Sequence, residues 1–339
     1  MSEEGLKLTV YFGERDRAAD RFLADALIDV FAAHALRTSV LLRGTTGFGP
    51  RQALRTDRLL TLSEDLPLVA LAVDTRERVL VALRDVEALR FDGLITLERA
   101  RLAPAEGGED ATKLTLYVGR GERVGRRPAH EAIVAALHRH GVAGATVLLG
   151  VDGTAHGERR RARFAGANAG VPLMVISIGE RDRIAAALPE LGQMLARPLL
   201  TWERVRVCKR DGVALAPPRP VPAHDPTGMA PWQKLMVYAS EQSRHAGHPL
   251  YAELVRRLRA AGASGATTLR GIWGYHGDHP PHGDSLWQLR RRVPVLTVLV
   301  ETAERAERAY AIVDELTDET GLVTSEIVPA AHPRLATPR

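Results

Sequence analysis

Three stretches of the sequence carry the residue types most able to do chemistry, and they are versions of one another. Residues 43–49 contain Arg43, Gly44, Gly47, Phe48 and Gly49, and residues 270–277 contain Arg270, Gly271, Gly274, Tyr275, His276 and Gly277. Residues 149–154 repeat the glycines as Gly150 and Gly153, but with Leu149 for the arginine and Thr154 for the aromatic residue. A glycine-rich turn directly after a strand brings backbone N–H groups close to an anion, and an arginine in front of it adds a charged fork. Arg43, Gly44, Gly47, Gly49, Arg270, Gly271, Gly274 and Gly277 are therefore the candidate ligand-binding residues. The competing reading is that these glycines only turn the chain into the loop that follows. No Gly-Lys-Ser/Thr completes a Walker-type phosphate loop, and no long crossover helix follows as in a dinucleotide fingerprint.

Other residues offer different chemistry. His276, His279 and His282 surround Asp278, with Asp284 nearby, and imidazoles with carboxylates suit zinc, copper or nickel. Pro280 and Pro281 break any helical face, so unliganded surface histidines are the alternative. The second copy has His156 and the basic residues Arg159, Arg160, Arg161 and Arg163 where a solvated loop or a partner contact is expected. Glu98, Glu203 and Glu326 each close a strand without an evident partner, and the recurrence of one residue type is better explained by duplication than by distinct acid and base roles. The lone cysteine, Cys208, lies between Val205, Val207 and Lys209 and reads as a packed strand residue. No nucleophile elbow is present, so the chain is expected to be non-enzymatic.

The elements that must position these residues recur with them. The first glycine of each stretch stands at the same distance from a Lys-Leu pair that opens an apolar strand: Lys7 to Gly44, Lys113 to Gly150 and Lys234 to Gly271. An internal repeat of roughly a hundred residues follows. In the first copy an apolar strand (6–12) precedes a helix whose face carries Phe22, Leu23, Ala26, Leu27, Val30 and Phe31. A short strand at 39–42 then runs into the glycines, a loop spans 50–65, and a strand at 67–73, a helix at about 75–89 and a strand at 94–98 complete the unit. The order strand, helix, strand, strand, helix, strand is the split βαβ, or ferredoxin-like, arrangement. Pro128 and Pro249 mark helix starts, and Gly141 and Gly262 mark left-handed helix ends. Ala35 stands at the equivalent place in copy one, so a different cap is expected there.

The repeats are expected at 5–102, 112–209 and 232–329, with linkers at 103–111 and 210–231 and a tail at 330–339. The second linker is proline-rich and should be a semi-stiff, extended connector. The third strands, 68–73, 173–175 and 295–300, are apolar on nearly every residue, so both faces should be buried. Helices cover one face only. Sister repeats are the nearest cover for the other, which predicts three sheets around a pseudo-threefold axis with helices outward.

Composition excludes several classes. With 45% hydrophobic residues the 339-residue chain can build real cores, and its net charge of +5 is mild. Only 5% of residues are aromatic and the basic residues are interspersed with acidic ones, so nucleic-acid binding is not expected. No apolar run is long enough for a membrane helix and no leader pattern is visible, so a cytoplasmic location without membrane insertion is expected.

The stretch 265–277, the later Val293, Pro294 and Val295, and residues 321–324 resemble the PII-like family called domain of unknown function 190. The resemblance covers essentially the whole chain in three tandem copies, most strongly in the third. It implies an α+β fold of three ferredoxin-like, PII-like repeats forming an intrachain pseudo-trimer. It also implies a signalling role in which inter-repeat clefts bind a small anionic ligand, an adenine nucleotide, and the long loops contact a protein partner. An association with fluoride-exporter genes makes a membrane transporter one such partner. Two rivals stand beside this reading: a structural or adaptor protein without ligand, and a divalent-metal protein using the histidines of copy three.

Overall fold

A computed structural model describes residues 4–56, 65–102, 111–155, 158–159, 171–195, 199–276, 281–283 and 293–333. Among the described residues, six helices and twelve long strands form three units of like order. Repeat 1 comprises β1 (Glu4–Gly13), α1 (Leu23–Ala33), β2 (Thr38–Phe48), β3 (Pro67–Thr75), α2 (Arg76–Ala88) and β4 (Leu94–Arg101). Repeat 2 comprises β5 (Ala111–Gly119), α3 (Ala129–Arg139), β6 (Gly144–Ala155), β7 (Pro172–Gly179), α4 (Arg181–Met194) and β8 (Leu199–Arg210). Repeat 3 comprises β9 (Ala230–Ser240), α5 (Leu250–Ala260), β10 (Ala266–His276), β11 (Pro294–Glu301), α6 (Ala303–Leu316) and β12 (Leu322–Ala331). Within each, the strands pair antiparallel in the order fourth, first, third, second.

Period-two alternation decides what each first strand buries. Leu6, Leu8, Val10 and Phe12 face α1 and α2 in one apolar core, and repeats 2 and 3 have matching helix-covered cores. A fourth core belongs to no single repeat: Val40, Val69, Leu71 and Val73 meet Leu148, Met174, Ile176, Met236, Leu269, Leu296 and Val298. The third strands are thus buried on both faces, as their continuous apolar runs require.

Strands join the repeats into one continuous sheet. The end of β2 (Gly44 to Phe48) pairs with the start of β10, the end of β10 pairs with the start of β6, and the end of β6 pairs with the start of β2. The fourth strands close a second cycle: β8 pairs with β12, β12 with β4, and β4 touches β8 at Trp202. Each repeat therefore completes the sheets of both others.

Four expectations change. Gly44, Gly47, Gly150, Gly153, Gly271 and Gly274 are not turns but lie in the second halves of long strands, because their partners are strands of other repeats, whereas Gly49 follows the end of β2. The loop 50–65 contains a short strand, Arg55–Thr56, folded back on Thr46 and Gly47. Ala35 adopts the same left-handed conformation (φ 47°) as Gly141 and Gly262 (φ 67° and 75°), so the cap of α1 does not differ; Arg78 donates to the carbonyls of His34 and Ala35 there, each at 2.7 Å. Short hairpins before the first helices, such as Arg17–Ala18 with Arg21–Phe22, have no signal in apolar periodicity. Phe22, assigned to the apolar helix face, lies in that hairpin, exposed, beneath the Arg17 guanidinium.

Candidate ligand cleft and axial charge cluster

The glycines of the repeated stretch stand where backbone meets backbone. A β-carbon on Gly47 would fall 2.5 Å from the Ala266 carbonyl oxygen, one on Gly153 2.2 Å from that of Ser39, and one on Gly274 2.2 Å from that of Ala145. Gly44 and Gly271 similarly face the carbonyls of Thr268 (2.8 Å) and Val147 (3.1 Å). Close approach of strands from different repeats is what requires glycine.

The neighbouring candidates are likewise engaged in holding the fold. Arg43 pairs with Glu14 at 3.0 Å, and Arg270 pairs with Glu241. Repeat 2 has Arg120 where these acids stand and Leu149 where the arginines stand, so both halves of the pair are replaced together. Phe48 is buried in the core of repeat 3, and Tyr275 in that of repeat 2, where its hydroxyl donates to the Val142 carbonyl at 2.8 Å. Thr154 keeps the same cross-repeat role by hydrogen bonding Ser39 at 3.0 Å. Arg159 from the basic run is clamped by Asp152 and Asp25 (2.7 and 2.9 Å) and by Asp29, so it ties repeat 2 to α1. His276 lies at the end of β10 opposite Gly144, and His282 pairs with Gly274. His279 and Gly277 lie outside the described residues.

One cleft brings some of these residues together with others that sequence reasoning missed. It spans about 520 Å³, open solvent included, between repeats 1 and 3. Tyr11, Phe12, Phe48, Pro67, Val298 and Val300 supply apolar walls, and Gly49 lies at the lip. Arg55, Asp92, Ser264 and His332 supply polar groups. Arg55 is oriented by Asp65 at 2.9 Å and Asp16 at 3.5 Å, and His332 Nδ1 bonds the Gly93 carbonyl at 2.7 Å. That bond assigns the proton to Nδ1 and leaves Nε2 as an acceptor. Of the predicted ligand residues that the structure describes, only Gly49 lines this cleft.

A second constellation lies on the axis. Lys7, Lys113 and Lys234, the residues that open the first strands, meet Glu98, Glu203 and Glu326 from the fourth strands. Lys7 Nζ reaches Glu98 at 2.6 Å and Glu203 at 2.7 Å. Lys113 Nζ reaches Glu203 at 2.8 Å and also pairs with Glu326, while Lys234 Nζ reaches Glu98 at 2.7 Å. Thr9 and Thr201 hydroxyls donate to Glu98 and Glu203, each at 3.0 Å. The three carboxylates lie within 4.8 Å of one another. Three ammonium groups already balance them, so there is no net negative charge for a metal ion to neutralise.

The electrostatics follow from burial against pairing. Burial would raise the Glu98 carboxyl, but Lys234, Lys7 and Lys113 hold it well below the usual range; Lys113 and Lys7 lower Glu203 against the same burial. Burial opposes the charge on Lys7 and Lys113 too, yet Glu203 and its fellow carboxylates push both ammonium groups above their ordinary value. Lys234 goes the other way: burial, only partly offset by Glu98, pulls it down. Burial raises Tyr11, Tyr117 and Tyr238 around the cluster, so they stay neutral phenols.

A family model of known proteins matches the chain three times, at residues 5–102, 111–207 and 232–330: DUF190, described as "Uncharacterized ACR". The chain belongs to the DUF190 family. It carries three tandem copies of that domain. A UPF0166 protein of Aquifex aeolicus (strain VF5) is 32% identical over 95 residues, which cover 28% of this chain and 88% of that protein. Among solved structures, an aspartate kinase from Synechocystis aligns with 96% of this chain and 44% of its own at 13% identity and a TM-score of 0.27. The chain thus spans less than half of that kinase. An unknown protein from Galdieria sulphuraria aligns with 60% of this chain and 99% of its own at 15% identity and a TM-score of 0.18. Likeness at those scores carries no argument. Among the described residues no helix is long and apolar enough to cross a membrane.

Proposed function

We propose that this DUF190 chain is a non-enzymatic, PII-like regulator: three ferredoxin-like units folded as an intrachain pseudo-trimer, with a small ligand bound between repeats 1 and 3. The cleft carries this reading. Apolar walls with a few convergent polar groups are the usual composition of a small-molecule site. A planar ring would lie against Phe12, Phe48 and Val298, with His332 Nε2 accepting a hydrogen bond from it. An anionic group would turn to Arg55. Adenine nucleotides combine both features and are the first probes. The loops after the second strands would pass occupancy to a protein partner, a membrane transporter among the classes to test.

Thermal melting with ATP, ADP, AMP and cyclic AMP tests the reading. A ligand at a hundred times its Kd stabilises the native state by about 2.7 kcal/mol. Arg55→Ala and His332→Ala should abolish most of the shift, whereas Arg43→Ala, paired with Glu14 outside the cleft, should keep it. Flat melting curves at millimolar concentrations of all four compounds would overturn the nucleotide assignment.

A further inference from the structure

Each repeat places a two-stranded hairpin between its first strand and its first helix, and all three have one register: Arg17 pairs with Phe22, Arg123 with Pro128 and Arg244 with Pro249. The charge on these hairpins does not recur. Residues 14–22 hold Arg15, Arg17 and Arg21 against Glu14, Asp16 and Asp20, and residues 241–249 hold Arg244 against Glu241. Residues 120–128 hold Arg120, Arg123, Arg126 and Arg127 against Glu122 alone. The formal charge is therefore zero on the first and third hairpins and +3 on the second.

The neutral hairpins also engage their charges within the fold. Arg21 pairs with Asp29, Glu14 with Arg43 at 3.0 Å, and Glu241 with Arg270. In repeat 2 Arg120 replaces the acid and Leu149 replaces its arginine, so the pair is gone and a cation stands where the other repeats have an anion. Arg120, Arg123, Arg126 and Arg127 are all exposed. Among the described residues none of the four has a carboxylate partner, and Arg123 donates to the Arg126 carbonyl.

This hairpin is anchored at its base and open at its tip. Val124 packs against the core of repeat 2, the Glu122 carbonyl accepts from the Ala129 N–H at 2.8 Å, and the Glu122 carboxylate accepts from the Gly119 N–H at 3.2 Å. Gly125 turns the tip with φ 59°, and nothing lies within 4 Å of where its β-carbon would stand.

We propose that the repeat 2 hairpin is a docking surface for an acidic segment of a partner protein, one that carries several carboxylates within a few residues. Guanidinium groups grip carboxylates as two-pronged forks, and an uncompensated basic patch steers acidic partners toward itself. Other anionic surfaces fit less well. Residues 120–128 include no aromatic side chain on which nucleic-acid bases could stack. Val124 and Pro128 are half-buried and offer no apolar wedge for a bilayer. A flat anionic membrane laid against all three hairpins would meet net charge on one. The cleft between repeats 1 and 3 takes no part in this contact, which stands whether or not that cleft binds a ligand.

Fluorescence anisotropy of fluorescein-labelled octaglutamate, titrated with the full chain at low and at physiological salt, tests the proposal. Saturable binding at low salt that weakens as salt rises is expected. Arg120→Glu/Arg126→Glu/Arg127→Glu should weaken it about tenfold or more. Arg120→Glu/Leu149→Arg, which rebuilds the ion pair of the other repeats, should weaken it too. The control Arg15→Glu/Arg84→Glu/Arg204→Glu makes the same change in net charge at exposed arginines outside this hairpin and should keep the affinity within about threefold. Unchanged melting temperatures establish that the variants fold. Absence of saturable binding would overturn the proposal, as would an equal loss in the two triple variants. Tighter binding of phosphatidylglycerol vesicles or of oligothymidylate than of octaglutamate would assign the hairpin to a different class of partner and overturn it as well.

Discussion

The axial cluster and the cleft are both built where repeats meet, yet they use triplication in opposite ways. On the axis the same two residue types recur in every copy, Lys7, Lys113 and Lys234 with Glu98, Glu203 and Glu326, and they neutralise one another away from water. In the cleft recurrence is only partial: Tyr11, Pro67 and Leu94 return as Tyr117 and Tyr238, Pro172 and Pro294, and Leu199 and Leu322, but Phe12 corresponds to Val118 and Ala239 by register with the lysines, and His332 to Pro104 and Lys209 by register with the glutamates. Residues repeated in threes hold the assembly together. Residues that have diverged are free to specify a ligand at one junction and not at the others.

The largest effect should come from breaking charge balance on the axis. Glu98→Ala leaves Lys7 and Lys234 without their shared carboxylate, and removing one partner of a buried pair costs about 3–5 kcal/mol. Denaturant titration should show that loss. The lysines should not be equivalent: Lys113→Met, which removes the ammonium shared by Glu203 and Glu326 and leaves Glu203 with Lys7, should cost more than Lys234→Met, whose ammonium contacts Glu98 and is already disfavoured by burial. Equal costs would mean that the three copies share the charge evenly. Cys208 gives a second readout. Burial pushes its thiol up to about 11, and it lies in repeat 3's core on a strand of repeat 2. Thiol labelling at pH 8 should be slow in the native protein and accelerate in variants that let these repeats part.

Acid titrates the same contrast. Glu98 and Glu203 are held below their ordinary 4.5, so the stability they contribute is present above that pH and is lost as pH falls through the folded values. Lys7 and Lys113 are raised above 10.5, so their contribution is present below that pH and is lost only as pH rises through still higher values. Melting temperature should therefore fall as pH drops below about 4.5, and Glu98→Gln should flatten that fall. An unchanged acid limb would remove the cluster from acid unfolding.

Much of this was legible from sequence because it depends on periodicity. The repeat, the strand and helix order, and the double burial of the third strands all follow from apolar spacing within one copy. Meanings that depend on contacts between copies were hidden. Gly47 looks like a turn glycine until the Ala266 carbonyl is placed beside it, and Glu98 looks unpartnered until three lysines converge on it. Those lysines were visible as the ruler of the repeat, and their pairing with the recurrent glutamates was the available signal. The cleft had no such signal, since its lining comes from eight separated stretches of chain and only Phe48 and Gly49 belong to the repeated motif.

Two glycine substitutions, one in β2 and one just beyond its end, bring the comparison to its finest scale. Gly47→Ala places a methyl group 2.5 Å from the Ala266 carbonyl oxygen, part of the junction itself, so strands must separate. Overpacking of that kind costs about 1–3 kcal/mol. Gly49→Ala meets nothing nearer than Arg55 Nη1 at 3.7 Å, an ordinary contact. Its effect on stability should stay within about 0.5 kcal/mol, as for other substitutions that disturb no packing. Yet the added methyl group would stand at the lip of the cleft beside Arg55, so any ligand shift seen in melting should change in Gly49→Ala while the unliganded melting temperature does not. If Gly49→Ala instead destabilises the protein as much as Gly47→Ala, the lip is part of the junction, and the division between a closed axis and an open cleft fails at this point.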